Sequence, residues 1–243
     1  MLMGAAAFAV GALSASAQTV YSVNVVGYVN TVIPGTDYAN TSSPGHPQYT
    51  LIYNPLDNGT GNHIQDLFAA ETVYGGAFPA NAALGNTAYT FNYGGQAFSP
   101  DQNNSYSGVW GQNASLPPGT GFFMLNGNKT YTNTFVGTVL QGNQANNVAV
   151  HYNLTSSIWP AGDYLFNLGL SNVVGGDTIY LFNQHGQAFS PIQVNSYGTP
   201  FTAETTPFNV SATLGPFITN GVSFFYLNNS GAPIPWATDF TVH

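Results

Sequence analysis

The 243-residue chain contains no cysteine and only one basic residue, Lys129. The lack of cysteine excludes disulfide bonds and thiol chemistry, so stability has to come from buried cores and from interfaces. Nine acidic residues give the chain a net charge of −8. Nucleic-acid phosphates and anionic membrane surfaces are bound by clustered Lys and Arg side chains, which this chain lacks. We therefore expect no nucleic-acid partner and no electrostatic docking on membranes.

Apolar runs long enough to cross a bilayer are also absent beyond the N terminus. Residues 1–17 form a short apolar segment that ends in Ala15-Ser16-Ala17, and small residues there are typical of a signal-peptidase cleavage site. This pattern predicts a signal peptide over residues 1–17, a mature chain that begins at Gln18, no membrane span after cleavage, and a location outside the cell or at its surface. A retained apolar segment is the alternative, because no Lys or Arg precedes the run.

One sequence pattern occurs twice. Gly-Gln-Ala-Phe-Ser-Pro stands at residues 95–100 and again at 186–191, and Asn-Ser-Tyr follows at 104–106 and at 195–197. Such an ordered recurrence indicates two homologous domains. Further pairs of similar segments are 121–126 with 224–228, 51–58 with 165–172, and 134–136 with 239–242.

The local patterns are those of β-structure. Short runs rich in Val, Ile, Thr, Tyr and Phe alternate with clusters of Gly, Pro, Asn and Ser. Residues 92–95 and 183–186 lie between two such runs and are predicted hairpin turns, because Gly and Asn tolerate positive φ. Only residues 63–70 have a helical pattern, for about two turns.

We therefore predict an all-β fold of two tandem antiparallel β-sandwich domains, jelly-roll or immunoglobulin-like, preceded by an N-terminal strand. The strand is assigned to residues 18–31, the first domain to residues 32–142 and the second to residues 143–243. Residues 34–48 are rich in Ser, Thr, Gly and Pro and form an insertion found only in the first repeat.

Several segments resemble a known group of proteins. Val-Tyr-Ser-Val-Asn-Val-Val-Gly-Tyr-Val-Asn at residues 20–30 follows the predicted signal peptide, and similar strand and turn motifs occur at 51–56, 116–123 and 134–137. These motifs resemble those of mostly uncharacterised secreted β-rich proteins of Verrucomicrobia-type bacteria. Some members of that group look like protomers of extracellular helical fibrils, so the resemblance implies a filament subunit. It supplies no catalytic residue.

The N-terminal strand has no hairpin partner beside it, because Pro34 and the insertion follow. Such a strand either pairs within its own domain or is donated to an open sheet edge on a neighbouring protomer. Gly27 is a predicted β-bulge, and the counterpart in the second repeat is expected at residues 148–153. The candidate assembly residues are Val20, Val23, Val25, Val26, Tyr28 and Val29.

Composition favours assembly. Charged residues make up 4% of the chain, although 44% is hydrophobic and 14% aromatic. Natural β-proteins place Lys and other charges on exposed sheet edges to prevent pairing, and almost none are present here. We predict a non-enzymatic structural subunit that polymerises with itself into extracellular or surface fibrils. A monomeric sandwich with the first strand folded back is the alternative.

Residues for catalysis or metal binding are few, and no cofactor is predicted. None of the common nucleophile, zinc-protease or phosphate-binding motifs occurs. His63 and Asp66 lie one helical turn apart, and with no third ligand nearby we interpret them as structural. Residues 57–62 weakly resemble a calcium loop but lack the closing Glu, so an ordinary tight turn is the preferred interpretation. A secreted hydrolase with two convergent carboxylates stays as a third hypothesis.

Aromatic residues support a second function, a carbohydrate-binding or adhesive module. Trp110 and Trp159 are the candidate platforms for stacking on sugar rings. The phenylalanine pairs at 122–123 and 224–225 are expected to fill the two cores.

Asn-x-Ser/Thr sequons are frequent, so glycosylation is a further hypothesis. The candidate sites are Asn40, Asn58, Asn103, Asn113, Asn128, Asn153, Asn209 and Asn228.

Overall fold

The computed structural model describes residues 25–39, 45–68, 85–203 and 208–241. Its strands all pair antiparallel and are accompanied by one helical turn, which confirms the predicted all-β class. No helix in these ranges is long and apolar enough to span a membrane. The elements are β1 (Val26–Ile33), β2 (Gln48–Tyr53), α1 (Ile64–Leu67), β3 (Thr87–Asn92), β4 (Ala97–Gln102), β5 (Gly121–Asn126), β6 (Tyr131–Thr138), β7 (Gly142–Ala145), β8 (His151–Thr155), β9 (Asp163–Tyr164), β10 (Thr178–Asn183), β11 (Ala188–Gln193), β12 (Val210–Ser211), β13 (Gly215–Ile218), β14 (Phe224–Asn228) and β15 (Ala237–Phe240).

Two four-stranded sheets share one topology. The first has the order β2-β5-β3-β4 and the second the order β8-β14-β10-β11. In the first sheet Leu51 pairs with Phe123, and in the second Leu154 pairs with Phe225. The counterpart of Leu51 is therefore Leu154, and the sequence match of 51–58 with 165–172 is wrong. Similar Leu and Asn spacing in a loop produced that false match.

The two predicted hairpin turns are confirmed in position. Four-residue loops at 93–96 and 184–187 join β3 to β4 and β10 to β11. The residues with positive φ are Gln96 and Gln187, each at 48°, whereas the expectation placed this conformation on Gly or Asn. Asn92 and Asn183 act instead through their side chains, whose oxygens accept turn N–H groups.

Two smaller ladders close the repeats. β1 pairs with β6 over eight residues, and β7 pairs with β15 over four. Each ladder joins the first strand of a repeat to its last strand, so the counterpart of β1 is β7. The expected counterpart at residues 148–153 is wrong, because residues 151–155 form β8, the edge strand equivalent to β2.

The buried apolar residues form two cores that are consecutive along the chain. One lies between Val29 and Val139, and the other between Val148 and Trp236. Alternation along the strands explains which side chains enter the first core. Ile52 and Phe122 from the four-stranded sheet face Phe135 from the β1–β6 ladder. The exact domain boundaries stay a prediction.

The helical segment is shorter than expected. α1 is a single turn that buries Ile64 and Leu67 in the first core, and residues 69–70 of the predicted helix lie outside the described residues.

The packing of β6 against the loop after β2 can be tested by a substitution at Gly137. A Cβ at this position would collide with the backbone carbonyl of Asp57, which is hydrogen-bonded to Thr138. We expect Gly137→Ala to lower the free energy of unfolding by about 1–3 kcal/mol, measured by urea denaturation. Gly94→Ala is the matched control, because the nearest atom to its new Cβ is 3.5 Å away. An equal loss in both variants would contradict the packing argument.

The buried hydroxyl of Tyr226 makes the free energy of unfolding fall at alkaline pH. Its hydroxyl is buried and donates to Asp177 at 2.6 Å, and burial, followed by this carboxylate, raises the pKa of Tyr226 well above its ordinary value. The stabilisation is fully present below the unfolded pKa of about 10 and is lost as pH rises above it. We expect a steeper fall in the free energy of unfolding from pH 9 to pH 11 in the wild type than in Tyr226→Phe. Equal slopes in urea denaturation would contradict the assignment.

Candidate functional site

The predicted assembly strand pairs within its own chain. β1 runs antiparallel to β6 in a continuous register from Val26 opposite Thr138 to Ile33 opposite Tyr131. The expected bulge at Gly27 is therefore wrong. Gly27 instead faces inward, where a Cβ would lie 3.0 and 3.1 Å from the side chains of Leu56 and Val139, so a larger residue would have to displace them.

Inward and outward residues alternate along β1. Among the candidate assembly residues, Val29 is buried in the first core, Val25 packs against its rim, and Val26 and Tyr28 face outward. Val20 and Val23 lie outside the described residues.

The outer face of the β1–β6 ladder is apolar or neutral. Val26, Tyr28, Val32 and Val136 are exposed, Tyr28 to 71% of its area. A hydrogen bond of 2.7 Å from the Thr134 hydroxyl to the Asn30 side chain joins the two strands across this face. The ladder holds two strands in the described part of the chain, so no strand is paired with the other edge of β1.

A reciprocal pair of glutamine side chains links the two repeats. Gln187 accepts from the Tyr49 N–H at 2.9 Å and donates to the Tyr49 carbonyl at 3.1 Å. Gln96 makes the same two bonds with Tyr152, at 3.0 and 3.2 Å. Each amide thus occupies the free edge of the other repeat's sheet, as a further strand would. We call this arrangement the glutamine clasp.

The clasp explains the sequence repeat. Gln96 and Gln187 are the glutamines of the duplicated Gly-Gln-Ala-Phe-Ser-Pro motif. Main-chain contacts extend the link, since Tyr53 N–H donates to the Gly221 carbonyl and Ser156 N–H to the Gly119 carbonyl.

Beside the clasp lies a third apolar cluster, which we call the aromatic junction. Its centre consists of Leu51, Phe123, Leu154 and Phe225, all buried and contributed equally by both repeats. Around it stand half-exposed aromatic residues of the four-stranded sheets. They are Tyr49, Tyr89, Phe91, Phe98, Tyr152, Tyr180, Phe182 and Phe189.

Two grooves cut into the aromatic junction. The first has a volume of about 360 Å³, and its walls include Tyr49, Tyr89 and Phe98. The second has a volume of about 340 Å³, and its walls include Tyr152 and Tyr180. The tyrosine rings lie 6.1 Å apart in the first groove and 5.9 Å in the second. The remaining wall residues are Phe123, Phe182, Gln187 and Phe189 in the first groove and Phe91, Gln96, Phe189 and Phe225 in the second.

The electrostatics of the grooves are those of a neutral, partly desolvated surface. No charged residue lines either groove. Desolvation, together with the neighbouring Tyr49, raises the pKa of the Tyr89 hydroxyl above its ordinary value. Desolvation beside Tyr152 raises the pKa of Tyr180 in the same way. Both hydroxyls are therefore neutral donors at physiological pH.

Of the two predicted sugar-stacking platforms, Trp110 is excluded by burial, and Trp159 stays a prediction. Trp110 is only 2% exposed and belongs to the first core, so it has no free face for a sugar ring. Trp159 is partly buried and stacks on Phe240 with ring centroids 5.2 Å apart. The phenylalanine prediction was half right, because Phe122 and Phe224 enter the cores whereas Phe123 and Phe225 form the junction.

Burial removes three of the candidate glycosylation sites. Asn103, Asn153 and Asn228 are at most 2% exposed, and their amide nitrogens donate to backbone carbonyls. Asn40 lies outside the described residues. The sites that keep exposed or partly exposed side chains are Asn58, Asn113, Asn128 and Asn209.

The weak calcium-loop pattern is a turn in which the oxygens already have donors. Asp57 accepts from the Gly59 N–H, and Asn58 from the N–H groups of Thr60 and Asn62. Within the described ranges no three His, Cys, Asp or Glu side chains come together in a way that would hold a metal ion.

His63 and Asp66 also bond elsewhere. The His63 Nδ1 atom lies 3.0 Å from the Asn113 carbonyl, and Asp66 accepts from the Thr60 hydroxyl. Sequence reasoning missed the buried carboxylates of Asp101 and Asp177, which accept backbone N–H groups. These acids stabilise separate loops and do not converge on a common site.

The clasp can be tested by shortening its side chains. Asparagine tolerates the left-handed conformation of residue 187 but is one methylene too short to reach Tyr49. We expect Gln187→Asn to lower the free energy of unfolding by about 1 kcal/mol and Gln96→Asn/Gln187→Asn by about 2 kcal/mol. Gln102→Asn, at an exposed strand position, should change it by less than about 0.5 kcal/mol. Equal urea midpoints for the wild type and all three variants would rule out the clasp as a stabilising link.

Comparison with known proteins identifies no relative. The chain matches no protein-family model, no curated protein and no solved structure. Two features of its own structure therefore support functional proposals, namely the β1–β6 ladder and the aromatic junction.

Proposed function

We propose that the chain is a secreted structural subunit of two tandem β-sandwich domains that self-assembles into extracellular or surface fibrils. Protomers are joined by exchange of β1, together with the residues that precede it. The observation that supports this proposal is the isolation of β1, which lies at one end of the described chain and pairs with β6 alone.

Exchange of β1 needs no new kind of contact. A β1 strand from a neighbour would pair with β6 in the same register and would place Val29 and Ile33 in the same core positions. Residues 34–47 connect β1 to β2, and 14 extended residues span about 45 Å. This is the length of chain available to carry β1 to an adjacent protomer.

The sheet edges differ in how they are protected. β4 and β11 are the outer edges of the four-stranded sheets, and each contains a proline, Pro100 or Pro191. Proline lacks the N–H donor that a pairing strand needs. β1 contains no proline and no charged residue. Its free edge is therefore the least protected of the three, which favours contact with another protomer there.

A disulfide lock tests strand exchange, and the natural absence of cysteine makes the test clean. Asn30 and Thr134 are direct partners in the ladder and face outward. Directly opposed residues have Cα atoms about 4.5–5.5 Å apart, within the range for a disulfide. We expect oxidised Asn30→Cys/Thr134→Cys to form no fibrils and to form them only after reduction, as seen by negative-stain microscopy.

Oxidation after assembly gives the complementary result. Exchanged strands would be linked between chains, so non-reducing gels should show a ladder of covalent multimers. Asn30→Ser/Thr134→Ser is the control and should assemble like the wild type. Fibrils formed by the oxidised lock would contradict strand exchange, and a wild-type protein that never forms filaments would favour the monomeric alternative.

A further inference from the structure

Each repeat projects one tyrosine almost completely into solvent. Tyr106 is 91% exposed and Tyr197 is 93% exposed, whereas tyrosine is ordinarily at least half-buried. They occupy equivalent positions in the duplicated Asn-Ser-Tyr motif, on the loops that follow β4 and β11. Both repeats therefore keep the same exposed aromatic side chain.

The loops that carry these tyrosines are held by their own hydrogen bonds. The Asn104 side chain accepts from the N–H groups of Tyr106 and Ser107 at 2.9 and 3.0 Å. In the other loop the Asn195 side chain donates to the Thr199 carbonyl at 3.1 Å. Ordered loops present the rings at a low cost in conformational entropy, as binding surfaces with rigid tyrosines do.

The two grooves of the aromatic junction have matching chemistry. Their walls are rings of Tyr and Phe, and Phe98 and Phe189 in these walls remain 43% and 40% exposed. Neither groove contains a charged side chain, and the residues beside Tyr106 and Tyr197 are Ser and Gly. In a chain of net charge −8, a neutral ring enters such a groove without electrostatic repulsion.

We propose that Tyr106 and Tyr197 of one copy insert into the aromatic grooves of other copies of the chain. The proposal rests on the proposed self-assembly and adds a second contact, separate from strand exchange. A tyrosine ring gains offset or edge-to-face contacts with the groove walls and buries an apolar face that is otherwise in water.

The number of sites determines what the contact builds. Each chain offers two tyrosines and two grooves, and donor and acceptor are different surfaces. Such heterologous contacts continue from copy to copy without closing. Strand exchange then forms the fibril, and tyrosine insertion associates protomers that are not strand partners.

The experiment isolates this contact in the oxidised Asn30→Cys/Thr134→Cys protein, in which strand exchange is blocked. Sedimentation velocity over a concentration series measures its self-association. We expect Tyr106→Ala/Tyr197→Ala to weaken association about tenfold or more, as loss of a central tyrosine does at interfaces. Phe217→Ala is the matched control, because it removes another exposed aromatic side chain that belongs to neither the β1–β6 ladder nor the grooves, and it should leave association unchanged.

A mixing test identifies the partner surface. Phe98→Ala/Phe189→Ala alters the grooves but keeps both exposed tyrosines, and it should associate as weakly as the tyrosine variant. A mixture of the two variants has one intact tyrosine set and one intact groove set, so association should reappear in the mixture. Circular dichroism confirms that each variant is folded.

Three outcomes would overturn the proposal. They are unchanged association of Tyr106→Ala/Tyr197→Ala, no recovery in the mixture of folded variants, and saturable binding of the neutral probes cellohexaose or maltohexaose to the grooves without any self-association. The last result would assign the grooves to a glycan. Wild-type protein that associates through its tyrosines but forms no fibrils would refute the fibril function and leave tyrosine insertion standing.

Discussion

The glutamine clasp is the constraint on which the arrangement of the two repeats depends. A sheet edge is a row of unpaired N–H and C=O groups that binds either water or another strand. Here one amide side chain from each repeat bonds to both main-chain groups of an edge residue in the other, Tyr49 or Tyr152. The link is reciprocal, so each repeat pairs the free main-chain groups at the sheet edge of the other. The four-stranded sheets then meet with their aromatic faces side by side.

The edge strands of the two four-stranded sheets are protected in two ways. The inner edges, β2 and β8, are covered by the clasp, and the outer edges, β4 and β11, each contain a proline. Compared with these four strands, β1 has neither a proline nor a clasp contact, and it is also the strand that lacks a neighbouring hairpin partner in the sequence. Pairing of β1 with β6 in the same chain and donation of β1 to a neighbour use the same register, so the monomeric and fibrillar alternatives differ in connectivity more than in contacts.

Alternation and turn chemistry were sufficient to predict the class of fold and both hairpins, because these depend on residues close together in the chain. Predictions that depended on distant contacts failed. Gly27 was assigned to a bulge, but its role is set by Leu56 and Val139 across the core. Trp110 was assigned to the surface, but the partners that bury it come from other segments. The aromatic junction was missed because Phe122 and Phe123 look alike in sequence and point to opposite faces of one strand.

Burial of acidic side chains makes the exposed surface even poorer in charge than the composition. Two acidic residues in the described part of the chain, Asp101 and Asp177, are buried and accept hydrogen bonds from loop N–H groups. Fewer charged side chains are therefore exposed than the composition indicates. Proline and the clasp protect the edges for which other β-proteins use lysine. Protection of that kind is local: it blocks the edges where it is placed and leaves β1 and the aromatic grooves open to a second copy.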